Sequence, residues 1–122
     1  MKQKLEQLMV EHLNQVWNQR DEVLRMKAIK SIYAEDIVMF DMDDETFSGY
    51  DAISQKVASL LNSLPPDFSI NQSIPIVLHN DVGKLEWGVG PTGAPSVLTG
   101  TDIVFFKDDK IKSFYVFVNI QK

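Results

Sequence analysis

The sequence predicts an α+β protein in which helices cover one face of a curved antiparallel sheet. Three observations carry that reading. Apolar residues recur at steps of three and four through most of the chain before Pro65-Pro66, and at steps of two after it. Short turn-forming stretches separate the later runs.

Leu5, Leu8, Met9, His12, Leu13, Val16 and Trp17 fall on one helical stripe, with Lys4, Glu6, Glu11 and Asn14 off it. Asp21 is placed to cap a second helix whose apolar face is Val23, Leu24, Ala28, Ile29, Ile32 and Tyr33. Glu35-Asp36 and the β-branched pair Ile37-Val38 turn the pattern to a short strand over 37–40, which ends in Asp41 and the acidic turn 42–45. Ser48 and Asp51 match the S-x-x-D capping pattern of a third helix, carried by Ile53, Val57, Leu60, Leu61 and Leu64 and stopped by the two prolines. Phe68, Ile70, Ile74, Ile76 and Leu78 then alternate as a strand that Pro75 kinks or places at an edge. Strand-like runs over 82–89, 97–106 and 111–118 follow with short connections, which implies an antiparallel meander.

The 122 residues fit one domain, spanning 1–122, with no internal repeat or linker. Hydrophobic residues at 44% and charged residues at 24% are ordinary for a folded domain and argue against disorder. A formal charge of −5 and the lack of a Lys/Arg cluster disfavour nucleic acid or an anionic membrane surface as partner. The absence of cysteine excludes disulfides, thiolate catalysis and Cys-based metal sites. The amphipathic start lacks the apolar run of a signal peptide and no run spans a bilayer, so a cytoplasmic location is expected.

On the last strands, Asp102, Val104 and Phe106 point one way and Thr101, Ile103 and Phe105 the other, so both faces are apolar. Residues 114–118 repeat this. One face takes the helices, and the other is expected to pack in a homodimer.

Asp41 ends the first strand after Met39 and Phe40, an apolar setting suited to a proton acceptor. The competing reading is a solvated loop aspartate like Asp43, Asp44 and Glu45 beside it. Asp102 lies inside an apolar strand, where a carboxyl is paired, protonated or functional, unless the strand frays there. His12 interrupts the apolar stripe and reads as a hydrogen-bonded core histidine, the alternative being a proton carrier in a pocket; His79 reads as a turn residue. Trp17, Tyr33, Trp87 and Tyr115 are candidates for a cavity wall or for core.

Several motif matches fail on context. Residues 88–93 spell G-x-G-x-x-G, but Pro95 and a strand follow where a helix is required. Asp41, Asp43 and Glu45 mimic a calcium loop, yet Thr46 and Ala52 occupy the positions that need Gly and Glu. Two histidines and no G-x-S-x-G leave metal-hydrolase and serine-hydrolase sites unsupported.

Tyr33-Ala34-Glu35-Asp36, Phe40-Asp41, Gly49-Tyr50-Asp51-Ala52-Ile53, His79-Asn80-Asp81-Val82, Glu86-Trp87 and Gly100-Thr101-Asp102-Ile103 resemble the nuclear transport factor 2-like superfamily. Within it the chain is most similar to SnoaL-like polyketide cyclases and ketosteroid isomerases, from about His12 to Val118. The resemblance implies a cone-shaped, cystatin-like fold, three helices wrapped by a curved sheet, a deep pocket and a dimer. It implies that Asp41 matches the proton-shuttling aspartate after the first strand and Asp102 the protonated aspartate that holds the enolate oxygen. Where the isomerases carry an oxyanion-holding tyrosine on the first helix, this chain has Trp17.

Together these readings give a cofactor-independent pocket protein for an apolar, carbonyl-bearing small molecule, with Asp41 as general base and Asp102 as acid or enolate stabiliser. Trp17, Tyr33, Phe40, Trp87 and Phe117 are the expected aromatic lining, and Val57, Leu61 and Val104 the aliphatic lining; no metal is expected. The alternative is a non-catalytic ligand-binding or protein-interaction module on the same fold.

Overall fold

The computed structural model describes residues 2–119; the first residue and the last three of the expected 1–122 domain lie outside it. The first helix opens as a regular α1 (Lys2–Glu11) and continues as a π-helical segment over His12–Trp17. The wider turn is visible where the Asn18 N–H donates to the carbonyl of Leu13, five residues back, at 3.0 Å. Residues five apart diverge by about 140° around a regular α-helix, whereas the wider turn brings them toward one face. His12, Leu13, Val16 and Trp17 are consequently all buried.

Helix α2 (Glu22–Ile32) starts as expected, with the Asp21 carboxylate accepting from the Leu24 N–H at 3.0 Å. Its buried stripe differs from the expected one: Arg25, Ile29 and Ile32 face inward, while Val23 and Leu24 are exposed. The first inward position is filled by the stem of Arg25, whose guanidinium donates to Ser54 Oγ at 3.1 Å and to the Gln19 carbonyl at 2.7 Å.

Strand β1 (Tyr33–Phe40) follows α2 without a loop and is longer than the 37–40 expected. Asp43 and Asp44, at φ 62° and 61°, turn the chain into a short β2 (Thr46–Ser48) that the sequence reading missed. The capping pair Ser48/Asp51 does not form. Ser48 belongs to the β2 ladder opposite Val38, so Gly49, at φ 86°, takes the cap position of α3 (Tyr50–Ser63) without a side-chain bond.

The stretch read as one kinked strand is two, β3 (Phe68–Gln72) and β4 (Val77–His79), pairing with opposite halves of β5 (Val82–Pro91). Strands β6 (Leu98–Lys107) and β7 (Lys110–Val118) complete a seven-stranded sheet of order β2-β1-β7-β6-β5-β3, with β4 also on β5. The sheet is mixed rather than wholly antiparallel, because β1 runs parallel to β7. Neighbouring strands are constrained by their hairpins, but β1 and β7 come from opposite ends of the chain, and no short turn dictates their sense. A register shift between Phe105 and Phe106 adds local bending.

The helices pack on the face carrying Leu85, Trp87, Val104, Phe106 and Phe114, forming one core with Met9, Val16, Ile29, Tyr33, Ile37 and Ile53. Ile103, Phe105, Tyr115 and Phe117 lie on the other face by strand alternation. No described helix is long and apolar enough to cross a membrane.

Candidate active site

A cavity of about 230 Å³ opens between the helices and the inner face of the sheet. Its wall is largely aliphatic and aromatic, with Leu13 and Trp17 from the π segment, Met39 from β1, Leu60 from α3, and Trp87 and Val89 from β5 among the lining residues. Three charged side chains enter it: Asp41, Lys56 and Asp102.

Asp102 is nearly buried, and both of its oxygens are held. His12 Nε2 lies 2.9 Å from Oδ2, and the Trp87 indole N–H donates to Oδ1 at 2.9 Å. Behind it, His12 is fully buried, with Nδ1 2.7 Å from the Tyr33 hydroxyl, which also accepts from the Trp17 indole N–H at 3.3 Å. One set of donor directions satisfies every bond within the network. The Tyr33 O–H donates to His12 Nδ1, the imidazole carries its proton on Nε2 and donates to Asp102, and Asp102 accepts two N–H bonds. A protonated Asp102 donating to His12 would push the imidazole proton to Nδ1, leaving the buried Tyr33 O–H without an acceptor. Burial first, and the Asp102 charge third, push the Tyr33 hydroxyl well above the usual tyrosine range; the Trp17 bond opposes them.

The π segment explains how one helix supplies both His12 and Trp17 to this network. Gly100 explains the placement of Trp87: a Cβ there would meet the Trp87 ring and the Phe117 carbonyl oxygen, the latter at 2.6 Å, so only glycine lets the indole lie across β6 toward Asp102.

Asp41 stands at the other end of the polar set. Its Oδ1 accepts from the Met42 N–H at 2.8 Å, its Oδ2 lies 3.3 Å from Lys56 Nζ, and its own N–H donates to the Glu45 carbonyl at 2.8 Å. The side chain is therefore fixed by its turn and by α3. Lys56 Nζ also sits 5.4 Å from the Phe47 ring centre.

Of the residues expected to form the site, Asp41, Asp102, Trp17 and Trp87 line this cavity. Tyr33 lies behind the wall, in the buried network. Phe40 and Phe117 face away from the cavity: Phe40 stacks on Tyr115 at 4.4 Å between ring centres, and Phe117 is 51% exposed, while their neighbours Met39, Val116 and Val118 take the inward positions. Strand alternation decides this, and which parity faces inward was not legible from a run apolar on both faces. Val57 and Leu61 are buried in the core; one helical step away, Lys56 and Leu60 reach the cavity instead. Val104 is also core, two residues beyond Asp102 on the inner face. The sequence reading missed Lys56, whose signal was its place four residues before Leu60 at the edge of the apolar stripe. Among the described residues no group of three or more His, Asp or Glu side chains converges as metal ligands would.

Among the described residues, three helices packed against a curved mixed sheet define the cystatin-like, nuclear transport factor 2-like fold. A family model for the SnoaL-like domain matches residues 10–114, and the chain belongs to that family. Solved structures share the fold at low identity. A SnoaL-like family protein from Agrobacterium tumefaciens that carries the name of an isomerase is 19% identical, with a TM-score of 0.85 over 98% of this chain and 100% of that one. A Jannaschia protein named for SnoaL-like polyketide cyclase is 8% identical, with a TM-score of 0.79 over 96% and 86%. A Kribbella flavida protein named for ketosteroid isomerase is 12% identical, with a TM-score of 0.75 over 98% and 81%. No curated protein matches the chain.

Proposed function

We propose that the protein catalyses cofactor-independent proton transfer on a small, apolar, carbonyl-bearing molecule, in an isomerisation or a ring closure. The observation that carries the reading is Asp102, a carboxyl group on the wall of an apolar cavity, with His12 Nε2 and the Trp87 indole N–H each 2.9 Å from one of its oxygens. Its geometry favours a division of roles opposite to the one the family resemblance implies. A carboxyl group whose two oxygens both meet ring N–H groups is arranged as an acceptor, which suits the part of base. Both carboxyls have two partners, but one of those at Asp41 is the ammonium of Lys56, whereas those at Asp102 are an indole and an imidazole, and this makes Asp41 the less available base.

In the step proposed, a free lone pair of Asp102 takes a proton from the carbon beside the carbonyl. The C–H electron pair becomes the new C=C bond, and the carbonyl π pair moves to oxygen. Where the substrate carries a further C=C, the enolate is a dienolate, and return of the proton from Asp102 to its far carbon completes an isomerisation. In a ring closure the enolate re-forms its C=O as its carbon bonds to a second carbonyl carbon, the π pair of that carbonyl moves to its oxygen, and this oxygen takes the proton from Asp102. The cavity of about 230 Å³ falls below the roughly 300–1,000 Å³ of sites for drug-sized ligands, which favours a small substrate.

The test needs no substrate guess. Small enolisable ketones and aldehydes are incubated with the protein in deuterated buffer, and loss of the α-proton signal is followed by NMR. Asp102→Asn is expected to slow exchange by roughly 10²–10⁴-fold, the usual contribution of a positioned general base. Exchange unchanged by that variant refutes the role. Saturable binding with no exchange in the parent protein supports instead the rival reading, a ligand-binding module.

We further propose that the outer sheet face, where Tyr115 and Phe117 are exposed beside Phe40, pairs two copies of the chain.

A further inference from the structure

Resting on the proton-transfer reading, the cavity still needs a group to hold the oxygen on which charge develops, and the indole and carboxyl groups at its wall are committed elsewhere. The Trp17 indole N–H donates to Tyr33, the Trp87 indole N–H donates to Asp102, and Asp102 is an acceptor. Among the described residues lining the cavity, the remaining side-chain N–H donor is the ammonium of Lys56. It has three protons. One is directed at Asp41 Oδ2, and the side chain is 30% exposed, so protons remain for a ligand.

We infer that Lys56 is the oxygen-binding residue of this cavity: it docks the carbonyl oxygen of the ligand and carries the enolate charge after Asp102 has taken the proton. Asp41 is then a positioning residue, which holds the ammonium at the cavity wall. Charge is conserved through the step. Before it, the cavity holds the two carboxylates and one ammonium. Afterwards Asp102 is neutral and the new anion lies on the ligand, where Lys56 can meet it at short range in a largely apolar enclosure. A cation is also suited to the transition state more than to the ground state, because its attraction grows as the oxygen charge grows.

The experiment mimics the state after proton transfer. Asp102→Asn imitates the neutralised base, and 4-nitrophenol, whose anion absorbs visible light, imitates the enolate. In the Asp102→Asn protein, bound 4-nitrophenol is expected to be more ionised than the free compound at the same pH. Adding Lys56→Met is expected to weaken phenolate binding by about 10-fold or more, the scale of a hydrogen bond to a charged group, and to return the bound compound toward its neutral form. Lys56→Arg, keeping the cation, is expected to retain most of the effect. Because Lys56→Met alone leaves Asp41 without its partner, the measurement is repeated with Asp41→Asn added, which removes both charges of the pair.

Equal phenolate affinity and ionisation with and without Lys56 overturn the inference. So does an equal loss of affinity for the uncharged analogue 4-nitrotoluene, which would reduce Lys56 to a packing role. The two proposals fail separately: the exchange assay reads Asp102 without phenolate, and the phenolate assay reads Lys56 in a protein whose base has already been removed.

Discussion

Replacing Tyr33 by Phe removes one oxygen atom from a site that is fully buried, and its effect follows from the groups the oxygen serves. The hydroxyl donates to His12 Nδ1 at 2.7 Å and accepts from the Trp17 indole at 3.3 Å. Each buried polar group left without a partner costs about 1–3 kcal/mol. His12 has no exposure to water and bears its loss in full; the Trp17 bond is long and its indole borders the cavity, so its loss weighs less. We expect Tyr33→Phe to lose about 2–3 kcal/mol in urea unfolding with an unchanged slope, a large share of the roughly 5–15 kcal/mol typical of a domain. The pH dependence adds an independent reading. Tyr33 holds its proton in the folded state well above the usual tyrosine value, chiefly through burial. Above about pH 10 the unfolded chain has released this proton and the folded protein has not. Stability is therefore fully present below that pH and falls as pH rises, by up to about 1.4 kcal/mol per unit. Tyr50, also shifted upward by burial and then by the charges of Glu35 and Asp36, is common to both proteins and cancels. The gap between the parent and Tyr33→Phe should thus narrow above pH 10. A loss under about 0.5 kcal/mol, or a gap constant from pH 8 to 11, refutes the directed network.

Gly100→Ala should cost at least about 2 kcal/mol, because the new methyl group meets both the Trp87 ring and the Phe117 carbonyl and the backbone cannot yield. Trp87 should then withdraw from Asp102, seen as a change in tryptophan emission; an unchanged spectrum with unchanged stability contradicts the packing described. For the outer face, sedimentation at micromolar concentration should show a dimer, with Tyr115→Lys/Phe117→Lys shifting the chain to monomer. A stable monomer in the parent protein sinks the proposed pairing.

The fold was legible because it rests on local signals: the stripe of the first helix, the Asp21 cap and the proline pair report on their own neighbourhoods. What escaped depends on partners far away in the chain. Ser48 has the right neighbours for a helix cap, but a ladder with Val38 claims it. The parallel pairing of β1 and β7 has no local signature. The site divides in the same way. Asp41 and Asp102 stood out as carboxyls in apolar runs, but their partners did not. Asp102 meets His12 across 90 positions of sequence, and Lys56 looks like an ordinary surface residue until Asp41 is seen opposite it. The inward parity of β1 and β7 is set by which face the helices occupy, so Phe40 and Phe117 could be placed only by the three-dimensional structure.

The chain spends several core positions on Tyr33, His12 and Asp102, where apolar residues of similar volume would fold at least as well on general grounds. On those grounds stability alone gives no reason for the network. The proposed role of Asp102 gives one: a carboxyl joined by a single bond to a strand can rotate, whereas one held at both oxygens by an imidazole and an indole presents the same lone pairs to the cavity throughout. The hydroxyl of Tyr33 contributes at one remove, by fixing the tautomer that lets His12 donate. Tyr33→Phe touches no cavity surface, yet it should slow α-proton exchange in the deuterium assay together with Asp102→Asn, though by less. A variant that loses stability but exchanges at the parental rate would separate the two roles and leave the network a purely structural one.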